Sequence, residues 1–121
     1  MPSVSHYASA PPFTTKDGST IRELLHPSTH GNRHQSLAEA RVAPGKRTTL
    51  HYHRVSEEIY HIVSGHGLMR LGDDQFEMGP GDTIAIAPGV PHAIANVGRD
   101  ELVFLCCCSP GYSDEDTVLL G

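Results

Sequence analysis

The chain has 121 residues, enough for one domain with a modest core and too few for two. Its formal charge of −5 with neutral histidine argues against a general nucleic-acid binder, which carries a basic face. No segment reaches the roughly 20 apolar residues of a membrane span, and no charged, apolar leader opens the sequence.

Glycine and proline are plentiful, aromatics are scarce, and no 3.6-residue periodicity is sustained. That profile predicts short strands joined by tight turns. The three cysteines, Cys106, Cys107 and Cys108, are consecutive, which suits neither a disulfide framework nor a zinc spacing, so a cytoplasmic setting is expected. Histidine, at nine residues, is the outlier of the composition.

The small, polar, proline-bearing start reads as a flexible N-terminal arm over 1–15, leaving 16–121 as the single domain. Lys16-Asp17-Gly18-Ser19 is a turn signal, and Thr20–Leu25 reads as a strand stopped by Pro27. His26, His30 and His34 would stack on one face of a helix, but Pro27, Gly31 and Asn32 predict a loop with exposed histidines instead.

Residues 35–42 read as a strand with Gln35, Leu37, Glu39 and Arg41 on one face and Ser36, Ala38, Ala40 and Val42 on the other. The pattern leaves open which face looks inward. Glu39 and Arg41 are expected at the surface or an interface. Further strands are expected at 48–53, 57–63, Gly67–Leu71, 75–78, 83–87, His92–Asn96 and 102–108, each bounded by turn residues. Such spacing indicates an all-β, antiparallel sandwich or barrel. The acidic, turn-rich tail after 108 is expected to form one short helix or none. Within the cysteine run, Cys106 and Cys108 share one side, as small apolar packing.

Two stretches carry the chemistry. His51 and His53 lie on one face of a strand, about 7 Å apart, and can converge on a single ion. Residues 54–56 reverse the chain, so a carboxylate early on the next strand can reach the same ion. Glu57 and Glu58 are both candidates: Glu58 shares its face with Tyr60 and Ile62, and Glu57 with Ile59 and His61. Alternation does not choose between them. Further on, Pro88-Gly89-Val90-Pro91 is a rigid turn delivering His92, with Ile94 and Asn96 on the same face.

These stretches resemble the paired signature motifs of the cupin family. Gly45, His51, His53, Glu58 and Gly65 match the first motif in identity and spacing, and its six-residue interval to Gly65 selects Glu58. Gly81, Gly89, His92 and Asn96 match the second, with Ala87 where its first proline is expected; this departure loosens the turn and removes no ligand.

The resemblance implies an antiparallel jelly-roll β-barrel with little or no helix. It also implies one divalent metal ion on His51, His53, Glu58 and His92, with His61 and His66 as non-ligands, and a homodimer that exchanges N-terminal strands. Iron, manganese, nickel, zinc and copper all suit nitrogen and oxygen donors.

Three imidazoles and one carboxylate leave the ion open positions, the mark of a catalytic site. Two enzyme chemistries on a small-molecule substrate follow: a dioxygenase, or a Lewis-acid lyase, isomerase or cyclase with Tyr60 as the leading catalytic base. A non-catalytic small-molecule binder or sensor is the third reading. A phosphosugar substrate is disfavoured, because the motif region supplies few cations.

Overall fold

In the computed structural model, which describes residues 3–121, the chain folds into two antiparallel sheets packed face to face. The strands are β1 Phe13–Thr14, β2 Thr20–Leu25, β3 Ser36–Val42, β4 His51–His53, β5 Glu57–Ser64 and β6 Gly67–Leu71. They continue as β7 Asp74–Met78, β8 Thr83–Ile86, β9 His92–Asn96, β10 Leu102–Ser109 and β11 Thr117–Leu119. One sheet has the order β1-β2-β3-β10-β5-β8 and the other β11-β4-β9-β6-β7. Helix is confined to one α-turn, Pro27–His30, and a 3-10 turn at Tyr7–Ser9 among the described residues. This is the expected all-β jelly roll.

Burial settles the face of β3. Ser36, Ala38, Ala40 and Val42 point inward, while Leu37, Glu39 and Arg41 stand on the outside. Small side chains face in because β3 packs beside β10, whose Phe104 fills the interior opposite Ala40. Outside, Arg41 pairs with Glu39 and Glu101 at 2.8 and 2.7 Å, and the Tyr7 hydroxyl donates to Glu39. Within the cavity-facing row of β5 the residues run Glu58, Tyr60, Ile62, from a polar end toward a core of Ile62, Met69, Ile94, Leu102 and Phe104.

Two motif glycines have clear backbone reasons. Gly65 has φ +86°, and a Cβ there would stand 2.7 Å from the Glu101 carbonyl oxygen, so only glycine fits. Gly89 has φ +81° in the turn Ala87-Pro88-Gly89-Val90, with proline before it and Val90 N–H bonding Ala87 O at 3.3 Å. That is the residue pattern of a type II turn, and alanine at its first position leaves it closed.

One expectation needs correction, and the tail holds an additional strand. The segment after His26 is one helical turn, not a loop, because the residues read as breakers are its caps. Pro27 sits in the first turn, where its missing N–H costs nothing, the His26 side chain accepts from Ser28 N–H, and Gly31 takes φ 83° at the C-cap. The tail forms no helix, one of the two expected outcomes, and in addition contributes strand β11, paired with β4. Its acidic residues have a local use: the Asp116 carboxylate accepts from Val55 and Ser56 N–H at 2.8 and 3.0 Å, clamping the β4–β5 turn.

Candidate metal centre

The register of the five-stranded sheet places the imidazoles. His51 and His92 are directly paired across β4 and β9, and their rings lie 4.3 Å apart between centroids. His53 follows on the same face of β4, at 5.2 Å from His51. The turn carrying His92 is tied to β4 by Gly89 N–H donating to His53 O at 2.7 Å. From the facing sheet, Glu58 projects from β5. The ligand atoms of His51, His53, Glu58 and His92 all lie within 4.8 Å of one another, and all four residues are buried. Glu57 is exposed on the other face, and His61 and His66 lie outside the cluster.

Hydrogen bonds fix which nitrogen each ring turns inward. His51 Nδ1 donates to Thr49 O at 2.7 Å, and His92 Nδ1 to Val90 O at 3.0 Å. His53 Nδ1 lies 3.0 Å from Thr117 Oγ1. That hydroxyl gives its own proton to Ser113 O at 2.9 Å, so it accepts from His53. Each ring thus turns its Nε2 to the interior: as neutral rings His51 and His92 present a bare nitrogen there, while His53 Nε2 carries the proton it donates to Glu58 Oε1 in the metal-free protein. Glu58 Oε1 stands 3.0 Å from His53 Nε2 and 3.3 Å from His92 Nε2, and His92 Nε2 has no hydrogen-bond partner.

A buried His92 lone pair facing the Glu58 carboxylate with no partner is costly, and a divalent cation that takes the place of the His53 proton and binds all four groups removes that cost. The donor set therefore fits one divalent ion, with nitrogen and oxygen ligands and no thiolate.

The titration behaviour follows from the same contacts. Burial alone would raise the Glu58 carboxyl, but the hydrogen bond from His53 Nε2, with His92 close by, holds it down at about 2. Burial lowers His51, reinforced by His92. Burial also works against a proton on His53, yet the bond to Glu58 outweighs it and leaves His53 raised.

Around the centre the six-stranded sheet forms most of the cavity wall. Tyr60 is 2% exposed, its ring 5.8 Å from His92 and 4.7 Å from Phe104. Cys108, paired across the sheet with Glu58, donates its thiol to Glu58 Oε2 at 3.1 Å. All three cysteines are free, with Cys106 and Cys108 facing the cavity. The cavity itself is small, about 40 Å³, and its mouth opens to solvent.

Three contributors were not identified from sequence. Thr117 lay in a segment read as tail, although its Thr-Val-Leu run is a strand signal. The Glu58 contact of Cys108 follows only from the β5–β10 register. Asp17, in the turn between β1 and β2, also lines the cavity, its Oδ2 3.6 Å from His51 Nε2, and no local pattern announces it.

The profile described as "Cupin domain" matches residues 38–108, more than half the chain and spanning all four clustered residues. The chain belongs to the cupin family. This cupin is 53% identical over 116 residues to the uncharacterized protein MJ1618 of Methanocaldococcus jannaschii, covering 96% of this chain and 93% of that one. It is 32% identical over 95 residues to the polyketide synthase CurC of Streptomyces cyaneus, covering 78% of this chain and 62% of that protein. Among solved structures it superposes on a predicted oxalate decarboxylase from Thermotoga maritima with a TM-score of 0.78, at 24% identity, covering 88% of this chain and 98% of the other. That last likeness shows the fold alone. No helix is long and apolar enough to cross a membrane among the described residues.

Proposed function

We propose that this cupin is a metal-dependent enzyme acting on a small organic molecule, by Lewis-acid-assisted proton transfer of the lyase, isomerase or cyclase kind. The observation that carries this reading is the convergence of the Nε2 atoms of His51, His53 and His92 with Glu58 Oε1, all within 4.8 Å of one another at the floor of a cavity. A divalent ion bound there supplies a Lewis acid that polarises a substrate oxygen.

The chain's own residues then orient the substrate and move its proton. Burial, and after it the charge of Glu58, push the Tyr60 hydroxyl well above its ordinary range. Tyr60 therefore stays a phenol near neutrality and can donate a hydrogen bond to a substrate oxygen; as the base suggested by its place on the strand it would first have to lose its proton to another group. Phe104 and Ala40 exclude water from the inner end of the cavity.

Metal analysis of protein purified without added metal, beside His51→Ala, tests the core of the reading. The wild type is expected to carry about one ion per chain and the variant almost none; equal contents would remove the assignment. Oxygen uptake with Fe(II) and a panel of thiols, phenols and small acids separates the reaction classes. A silent electrode supports proton transfer, and uptake favours the dioxygenase. Tyr60→Phe should lower turnover with metal content unchanged.

The same reading includes a homodimer, supported by exposed Ile59 and Val63 on the outer face of the six-stranded sheet. It includes a cytoplasmic location, supported by three free thiols. Residues 1–15 are assigned as an arm and 16–121 as the barrel.

A further inference from the structure

The metal cavity contains a second carboxylate that the ligand set does not use. Asp17 reaches it from the β1–β2 turn, and its backbone is tethered beside the centre by Thr49 N–H donating to Asp17 O at 2.8 Å. One carboxylate oxygen is fully engaged: Oδ1 accepts from Thr15 Oγ1 at 2.8 Å, Ser19 N–H at 2.9 Å and Ser19 Oγ at 2.6 Å. These three donors lock the side chain and aim Oδ2 at the centre, 3.6 Å from His51 Nε2, with the side chain only 14% exposed.

Since His51 Nε2 is bare, this contact is lone pair against lone pair and is not a hydrogen bond. Asp17 also falls outside the four residues whose ligand atoms converge. It faces the space that a bound molecule would fill. The unpartnered Nε2 of His92, in a residue 0% exposed, marks the same interior as prepared for a ligand.

Charge indicates what kind of ligand. Asp17, Glu23 and Glu58 line the cavity, and no lysine or arginine does among the described residues. Glu23 Oε1 is itself buried without a hydrogen-bond partner. A divalent ion with Glu58 leaves one net positive charge, and Asp17 cancels it. A small dianion would then meet a carboxylate with no counter-cation, whereas a hydroxyl would find an acceptor already oriented.

Resting on the metal-centre reading above, we propose that Asp17 Oδ2 is the specificity-determining acceptor of this cupin. It takes a hydrogen bond from a hydroxyl of the molecule bound at the centre and so selects neutral, hydroxyl-bearing ligands over small dianions.

Asp17→Asn tests this cleanly, because asparagine keeps an Oδ1 acceptor for Thr15 and Ser19 while replacing the free oxygen by an N–H donor. Protein loaded with Co(II) is titrated anaerobically with catechol and with oxalate, and the visible Co(II) bands report each Kd. Asp17→Asn should weaken catechol about ten-fold and tighten oxalate about ten-fold, with metal content unchanged. Asp17→Glu, which keeps the charge but displaces it, should weaken catechol and leave oxalate weak.

Unchanged affinities in Asp17→Asn overturn the proposal while the metal centre stands. Loss of metal in that variant also overturns it, by making Asp17 a ligand. A wild type that takes up no Co(II) removes both this proposal and the reading it rests on.

Discussion

The two sheets contribute to the centre in different ways. The five-stranded sheet supplies all three imidazoles, each fixed through Nδ1 by an oxygen of that sheet or its loops, Thr49, Val90 or Thr117. The six-stranded sheet supplies the single carboxylate and most of the surroundings: Tyr60, Phe104, Cys106 and Cys108, with Asp17 from the turn before β2. One side is built for fixed donor geometry. The other sets the cavity's size, polarity and charge, and can vary without disturbing the ligating nitrogens. The groups that fix the nitrogens and the groups that shape the cavity thus lie on separate sheets, with Glu58 alone belonging to both sets.

The largest expected effect comes from breaking the five-stranded side. His92→Ala removes a ligand in the interior, so Zn(II) affinity measured against a competing chelator should fall by more than the roughly 100-fold reached by outer-shell changes. Thr117→Val leaves the ligands in place but orphans His53 Nδ1–H. A fall of about 10- to 100-fold is expected in the same assay, and a smaller one would show that β11 does not orient His53.

Acidity sharpens the comparison across the sheets. Glu58 is depressed, so its contribution to metal-free stability is fully present above 4.5 and lost as pH falls toward about 2. His53 is raised, so its contribution is fully present below 6.5 and lost as pH rises through its higher value. Thermal melts of the metal-free protein should therefore give a maximum for this pair between 4.5 and 6.5. Metal uptake should strengthen with rising pH over the range in which His53 gives up its proton, because the ion must displace it.

The cluster of four was legible in the sequence in two steps. Alternation placed His51 and His53 on one strand face and left Glu57 and Glu58 open; the resemblance to the cupin motifs, whose interval to Gly65 falls on Glu58, supplied that choice and joined His92 to the set. What stayed hidden depends on contacts between distant segments. The inward face of β3 could not be read because Ala38 and Ala40 are no more apolar than Leu37; the pairing with β10 decides it. Asp114, Glu115 and Asp116 read as part of an acidic, turn-rich tail, yet Asp116 caps backbone N–H groups 61 and 60 residues earlier in the chain. Pro27 and Gly31 carried the right signal, of caps rather than of breaks, but a one-turn helix is too short to show a periodicity.

The placement of β10 has a consequence for biosynthesis. All four ligands have been translated once His92 emerges, but β10, which lies between β3 and β5 and pairs with both, begins only at Leu102. Until it inserts, β5 is paired with β8 alone, where Ile86 stands opposite Glu58, and nothing joins the β5–β8 pair to β1, β2 and β3 within the six-stranded sheet. A chain interrupted between residues 92 and 102 would carry all four clustered residues without the strand that unites that sheet.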